Sequence, residues 1–337
     1  MNTPLVSVIV PNYNYARALG LCLGSVRAQT YPHLELIVVD DCSTDDSVAV
    51  AESYGARVLR TPTNSGPAAA RNLGAAQAQG EILFFLDSDV AAKPDAVANA
   101  VELLTADPEI GAICGNYDPV PLVRDSLLEE YRCLQQSYWL IADEGRIFTL
   151  YTALLAVPAR VFAEIGPFNP RLRETENADY GMRLAQRYQI WLSPRVRGVH
   201  DHDADLGVLV RKVFTRTALH IPMYARKPEF PGGLSSGPRA WVSVAALLTV
   251  LTVALPVLFG LAFLVVPLAV LAACLAGDLP MYRFVRRERG VLFLGYFVAM
   301  HFFLNLVIAV AAISGVTAWL ASGRFRGLYD RPEVATR

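Results

Sequence analysis

Short apolar runs alternate with helical spacings through the first two hundred residues. Leu5–Val10 is β-branched and closed by Pro11, which reads as a strand followed by a turn. Tyr15–Gln29 carries Ala18, Leu19, Leu21, Cys22 and Val26 at helical spacing. Leu34–Val39 predicts a second buried strand, which ends on Asp40 and Asp41. Ser43 and Thr44 then suit the N-cap of a helix reaching about Tyr54, and Ala56–Leu59 predicts a third strand. Asn64–Pro67 leads into a helix that ends near Gly80, with Pro67 in its first turn. Ile82–Leu86 is an unbroken apolar run, the mark of a strand covered on both faces. It stops on Asp87 and Asp89, and residues two apart in a strand point the same way. Lys93–Thr105 and Leu122–Ile141 predict further helices. Phe148–Val157 predicts a strand, Pro158–Ile165 a short helix, and Gln189–Leu192 and Val196–His200 two last strands. Strands and helices linked this closely imply an α/β fold with a mainly parallel sheet covered by helices on both faces.

The pattern then changes. Leu206, Leu209, Val210, Val213, Phe214, Thr217 and Ile221 share one helical face, with Arg211, Lys212 and Arg216 opposite and Pro222 expected to end the run. A basic amphipathic helix of this kind suits a membrane interface. Pro231–Gly233 and Ser235–Pro238 read as a hinge, with Arg226, Lys227 and Arg239 adding positive charge around it. Trp241–Ala276 and Val291–Ala321 contain no Asp, Glu, Lys or Arg, and both exceed the roughly 20 residues that cross a bilayer. The first is long enough for a tight hairpin turning near Pro256 and Gly260, so three transmembrane helices are expected. Between the two segments lie Arg283, Arg286, Arg287 and Arg289, which the positive-inside rule puts in the cytoplasm. His301 and Asn305 sit four apart inside the last span, placed to meet a headgroup, a neighbouring helix or each other. The expected divisions are 1–205 for the α/β domain, 206–240 for the juxtamembrane segment and hinge, 241–321 for the membrane region and 322–337 for a polar tail.

Composition narrows the function classes. A net charge of −1 excludes a broad nucleic-acid footprint. Five scattered cysteines without a Cys-X-X-Cys pair argue against a disulfide framework or a zinc knuckle and for a reducing compartment. The chain runs straight into a strand with no secretory-type leader, so the α/β domain is expected in the cytoplasm of a multi-pass membrane protein. Asp87 and Asp89 at the mouth of an apolar strand repel each other unless a cation intervenes. A divalent metal, Mg²⁺ or Mn²⁺, carrying a diphosphate is the natural occupant. The other strand ends, Pro11-Asn12-Tyr13 and Asp40-Asp41, line the same rim, where ligands of such sheets bind.

Four motifs, Val6–Asn14, Leu36–Ser47, Asn64–Gly74 and Ile82–Asp89, resemble in order and spacing the family 2 glycosyltransferases, and the likeness runs to about His200. The resemblance implies a GT-A-like fold and a metal-dependent, inverting transfer from a nucleotide-sugar donor. It implies that Pro11 and Tyr13 border the nucleobase and that Asp40, with Asp41 beside it, accepts a base N–H. It further implies that Arg71 orders the diphosphate side, that Asp87 faces the ribose and that Asp89 ligates the metal. His200 stands where the family has a late histidine completing the metal shell, with His202 a competitor. A diphosphate leaving group needs positive charge as the sugar departs, which agrees with these roles.

One position departs from the family. Members show Glu-Asp, one residue, then Asp-Leu, and the second acid of the pair is the expected base; here it is Asn177, after Glu176. An amide cannot take a proton at neutral pH. Three explanations stay open: the acceptor is an already ionised lipid phosphate, Glu176 takes the proton, or activity is impaired. The anchor favours the first, with polyprenyl phosphate as acceptor and Asn177 donating a hydrogen bond to it. A hydroxyl of a lipid-linked or cell-surface saccharide is the alternative, within the synthesis of a cell-envelope polysaccharide. A non-catalytic nucleotide-sugar-binding membrane subunit is a reading of another class. A nucleotidyltransferase is remoter, because no Gly-rich basic loop follows the first strand. The partners implied are a nucleotide-sugar, a lipid-linked acceptor and the membrane, with a homo-oligomer compatible.

Overall fold

A computed structural model describes residues 3–226 and 237–330. The hinge residues Pro231–Gly233, Ser235 and Ser236, Lys227 and the tail residues Arg331 and Arg337 lie outside them. Contacts divide the chain into two units, Met1–Ala204 and Asp205–Arg337.

The first unit is built on one sheet. Its strands are β1 (Val6–Asn12), β2 (Leu34–Asp40), β3 (Arg57–Arg60), β4 (Ile82–Leu86), β5 (Val90–Ala92), β6 (Ile110–Tyr117), β7 (Gly145–Ile147), β8 (Leu154–Pro158) and β9 (Gln189–His200). They run in the order β3-β2-β1-β4-β8-β6-β9-β5, with β7 on β9. The stretch β3-β2-β1-β4 is parallel, as the alternation of elements implies. Beyond β4 the sheet is mixed: β8 is antiparallel to β4 and β6, β6 and β9 are parallel, and β5 and β7 are antiparallel to β9. Every residue of β1, β4, β6 and β8 is buried, so these strands are covered on both faces. The helices of this unit are α1 (Ala16–Arg27), α2 (Ser47–Ser53), α3 (Pro67–Gln77), α4 (Ala96–Ala106), α5 (Leu127–Ala142), α6 (Ala159–Ile165) and α7 (Glu176–Leu184). Gly74 of α3 packs so close to Ile9 and Val39 that no larger residue fits without displacement.

Several boundaries differ from the sequence reading. Ser43 and Thr44 do not cap α2, which starts at Ser47. They are spent on the neighbouring turn, where the Thr44 amide donates to Asn14 Oδ1 (2.7 Å) and Ser43 Oγ accepts the Asn14 amide (2.9 Å). Helix α5 starts only at Leu127, because Ser126 and Glu129 form a reciprocal capping box there. The two expected last strands are one, β9, with a register shift against β6. The shift spans Pro194, which has no N–H for the ladder.

The second unit is helical: α8 (Leu206–Arg226), α9 (Gly237–Thr252), α10 (Ala254–Phe259), α11 (Val265–Gly277), α12 (Leu279–Ala321) and α13 (Gly323–Arg326). Helix α8 does not end at Pro222 but passes through it. The proline removes one intrahelical bond, to the Ala218 carbonyl. Gly315 of α12 lies against that same carbonyl. Ala240–Phe259 and Leu279–Ala321 are apolar and long enough to cross a membrane, whereas Leu261–Gly277 is shorter. Gly260, at φ 101°, divides the first apolar segment between these helices.

Helix α12 is itself interrupted. Gly290 has φ 78° and ψ −178°. His301 Nε2 lies 2.9 Å from Asp278 Oδ2, and the Tyr282 and Phe297 rings are 6.3 Å apart. In a continuous helix, residues 278 and 301 would be separated by about 34 Å. The chain therefore reverses at Gly290, and an arm of residues 279–289 folds back along 291–301. Asn305 accepts the Ser243 hydroxyl of α9 at 2.6 Å and donates to the His301 carbonyl at 2.9 Å, so of the roles open to it in the sequence it takes both the helix contact and the bond to its partner four residues earlier.

Candidate active site

The strand order 3-2-1-4 reverses direction at β1, and this is where a doubly wound sheet opens a crevice at the carboxyl ends of its strands. Strands β1, β2 and β4 deliver Asn12, Asp40 and Asp87 to that rim. Asn12 pairs in register with Asp40. Asn14 (φ 49°) and Cys42 (φ 67°) have left-handed backbone in the two adjoining turns. Such conformations in non-glycine residues cluster at functional sites.

The two acids after β2 have different surroundings. Asp41 is buried and fully used. It accepts the Thr61 hydroxyl (2.5 Å) and the Ser65 amide (2.9 Å) at Oδ1 and the Gly66 amide (2.7 Å) at Oδ2. It thus ties the loop before α3 to the sheet and sets where Arg71 emerges. Asp40 accepts the Ser43 amide at Oδ2 (3.2 Å), while its other oxygen is buried without a hydrogen-bond partner. Asn12 Oδ1, beside it, is in the same condition. Buried acceptors are normally satisfied, so these two oxygens are suited to donors from a ligand. Pro11 is buried in β1, and Tyr13 is half exposed at the rim.

Arg71 is 2% exposed and bridges two acids from distant parts of the chain. One nitrogen donates to Asp87 Oδ1 at 2.7 Å and another to Glu176 Oε1 at 2.9 Å. Its guanidinium lies over the Phe168 ring at 5.8 Å. Burial pushes the Glu176 carboxyl above its ordinary value, against the opposing pull of Arg71. Asn177 donates its amide to the Leu150 carbonyl at 2.9 Å. Asp179, one turn into α7, is held by Arg183.

Strand β5 begins one residue after Asp89 and pairs Val90 with His200. This brings His200 Nε2 to 3.3 Å from Asp89 Oδ2. The His202 ring packs edge-on against the His200 ring, 4.1 Å away. Among the described residues no three His, Cys, Asp or Glu side chains form a ready metal cage. A carboxylate and an imidazole side by side nonetheless fit a divalent cation that fills its shell from a diphosphate. Asp87 and Glu176 share the single charge of Arg71, so the rim stays negative and favours a cation.

The sequence reading missed Tyr15 and Asp201. The Tyr15 hydroxyl donates to Asp201 Oδ2 at 2.8 Å, and the Asp201 amide donates to the Asp89 carbonyl at 2.8 Å. Burial, with the Asp201 hydrogen bond second, raises the Tyr15 phenol above its ordinary value. Asp201 was signalled only by its place next to His200.

The sequence profile of Glycosyl transferase family 2 matches residues 7–134. A Haemophilus influenzae protein described as an uncharacterized glycosyltransferase is 30% identical over 54% of this chain and 62% of its own length. TuaG of Bacillus subtilis, named for teichuronic acid biosynthesis, is 41% identical over 30% of this chain and 42% of its own. The chain thus spans less than two thirds of either relative. The solved structure of the mannosyltransferase PcManGT from Pyrobaculum calidifontis, in complex with GDP-Man and Mn²⁺, is 22% identical. It aligns with a TM-score of 0.58 over 94% of this chain and 88% of its own. Residues 7–134 thus match the family 2 glycosyltransferase profile, on a GT-A-type sheet followed by apolar helices.

Proposed function

We propose that the chain transfers a sugar, with inversion, from a nucleotide-sugar to a lipid-linked phosphate of the polyprenyl type at the cytoplasmic face of a membrane. The observation that carries the choice of acceptor is the state of Glu176 and Asn177. Glu176 is bound to buried Arg71, and Asn177 is an amide engaged with the chain. A phosphate acceptor is already ionised and needs no proton removed. Its oxygen attacks the sugar C1 opposite the diphosphate, the C1–O bond to the diphosphate breaks, and the nucleoside diphosphate departs with the electron pair.

The residues divide the work. The free oxygen of Asp40 accepts a base N–H between Pro11 and Tyr13. Asp41 holds the loop that positions Arg71, and Arg71 fixes Asp87 toward the ribose. Asp89 and His200 would hold Mg²⁺ or Mn²⁺, which when bound supplies positive charge against the leaving diphosphate. The GDP-Man and Mn²⁺ bound by PcManGT support this donor and metal class. The relative named for teichuronic acid supports a role in envelope polysaccharide.

A second reading rests on the raised Glu176 carboxyl, a shift in the direction a general base requires. There the acceptor is a saccharide hydroxyl and Glu176 takes its proton. The test is purified full chain with nucleotide-sugars and Mn²⁺, offered either polyprenyl phosphate or neutral saccharides. Label in a glycosyl phospholipid is the expected result; label only on hydroxyl acceptors, lost in Glu176→Gln, establishes the second reading instead. No release of nucleoside diphosphate with any acceptor points to a binding subunit.

A further inference from the structure

The reversal at Gly290 places unlike surfaces at one tip of the helical unit. On the folded-back arm, Met281, Tyr282 and Val285 are buried, and Tyr282 faces Phe297 and His301. Arg283, Arg286 and Arg287 recur at i, i+3 and i+4 and are exposed on the other side. The arm also bears Arg289 and one acid, Glu288, while Asp278 at its base is engaged by His301. Just past the turn, Val291 is 70% and Leu292 91% exposed.

Neither bulk phase suits this tip. Arginine is among the most costly residues to place in hydrocarbon, and the arm lies beside the first turns of the apolar helix 291–321. In water the two aliphatic side chains gain nothing. The layer that accommodates both is the headgroup region, where aliphatic side chains reach the acyl boundary and guanidinium groups meet phosphate. A guanidinium offers a planar fork to phosphate oxygens, which an ammonium does not.

We propose that residues 279–292 form a headgroup clamp selective for anionic phospholipid, with Arg283, Arg286 and Arg287 as the phosphate-binding face. It rests on the membrane reading of the helical unit and is independent of the sugar acceptor.

The test uses full chain reconstituted in phosphatidylcholine vesicles containing spin-labelled phosphatidylglycerol or spin-labelled phosphatidylcholine. The measured quantity is the fraction of label immobilised by protein. Each arginine near an anionic surface contributes about fivefold, so a preference for phosphatidylglycerol of at least roughly fivefold is expected. It should fall to about one in R283Q/R286Q/R287Q and persist in R211Q/R216Q on α8. Circular dichroism and nucleotide binding check that the variants remain folded. A preference that survives the arm variant, or that disappears with the α8 variant alone, overturns the clamp. A chain that stays in solution without lipid or detergent overturns it together with the membrane reading.

Discussion

Replacing Arg71 with Met keeps most of the aliphatic stem and removes the charge. Glu176 (side chain 7% exposed) and Asp87 (25% exposed) then face each other without their shared cation. Breaking a buried ion pair by deleting one partner costs about 3–5 kcal/mol. The exposed part of Asp87 is screened, so most of this falls on Glu176. Arg71→Met is therefore expected to weaken the first unit by about 3–5 kcal/mol. The double variant Arg71→Met/Glu176→Gln removes the stranded charge as well and should return to within about 2 kcal/mol of wild type. Amide hydrogen exchange of β1 and β4 in the intact chain reads the opening energy of this sheet directly. At about 1.4 kcal/mol per decade, exchange should accelerate roughly two to three and a half decades in the single variant and far less in the double. Equal protection in Arg71→Met and wild type, or a double variant no better than the single, would refute the bridge as the organiser of the rim.

Other substitutions separate the roles at the strand ends. Asp41→Ala strands two backbone amides and a hydroxyl, and should cost about 2–4 kcal/mol by thermal unfolding, whereas Asp40→Asn should leave stability within about 1 kcal/mol. Asp40→Asn should instead weaken nucleoside diphosphate binding, by titration calorimetry, by about tenfold or more. Gly74→Ala forces a methyl against Ile9 and toward Val39 Cγ2 at 3.1 Å, and should destabilise by about 1–3 kcal/mol through overpacking, read by the same unfolding experiment.

The central strands were legible because burial on both faces leaves a plain sequence mark. Ile82–Leu86 is an apolar run between Glu81 and Asp87, Ile37–Val39 runs into Asp40, and Val6–Val10 is apolar but for Ser7 and leads through Pro11 to Asn12; all are buried in the sheet. Their polar ends gave the rim. The pairing of Arg71 with Glu176, 105 residues apart, left no local trace, since only the fold brings α3 to α7. Tyr15 and Asp201 were hidden for the same reason. Asp40 and Asp41 look equivalent in sequence, yet one is consumed by the loop before α3 and the other keeps a free oxygen. In the helical unit, hydropathy located the apolar segments but not the reversal at Gly290. A single left-handed glycine between two helical stretches has no hydrophobic signature.

Retention of Mn²⁺ by the full chain, followed by electron paramagnetic resonance with and without nucleoside diphosphate, is the most direct test of the rim. One site should appear, tightened by the nucleotide and lost in Asp89→Ala while the sheet remains folded. Wild-type protein that leaves Mn²⁺ free at saturating nucleotide, or an Asp89→Ala variant that binds it as well as wild type, would contradict the account.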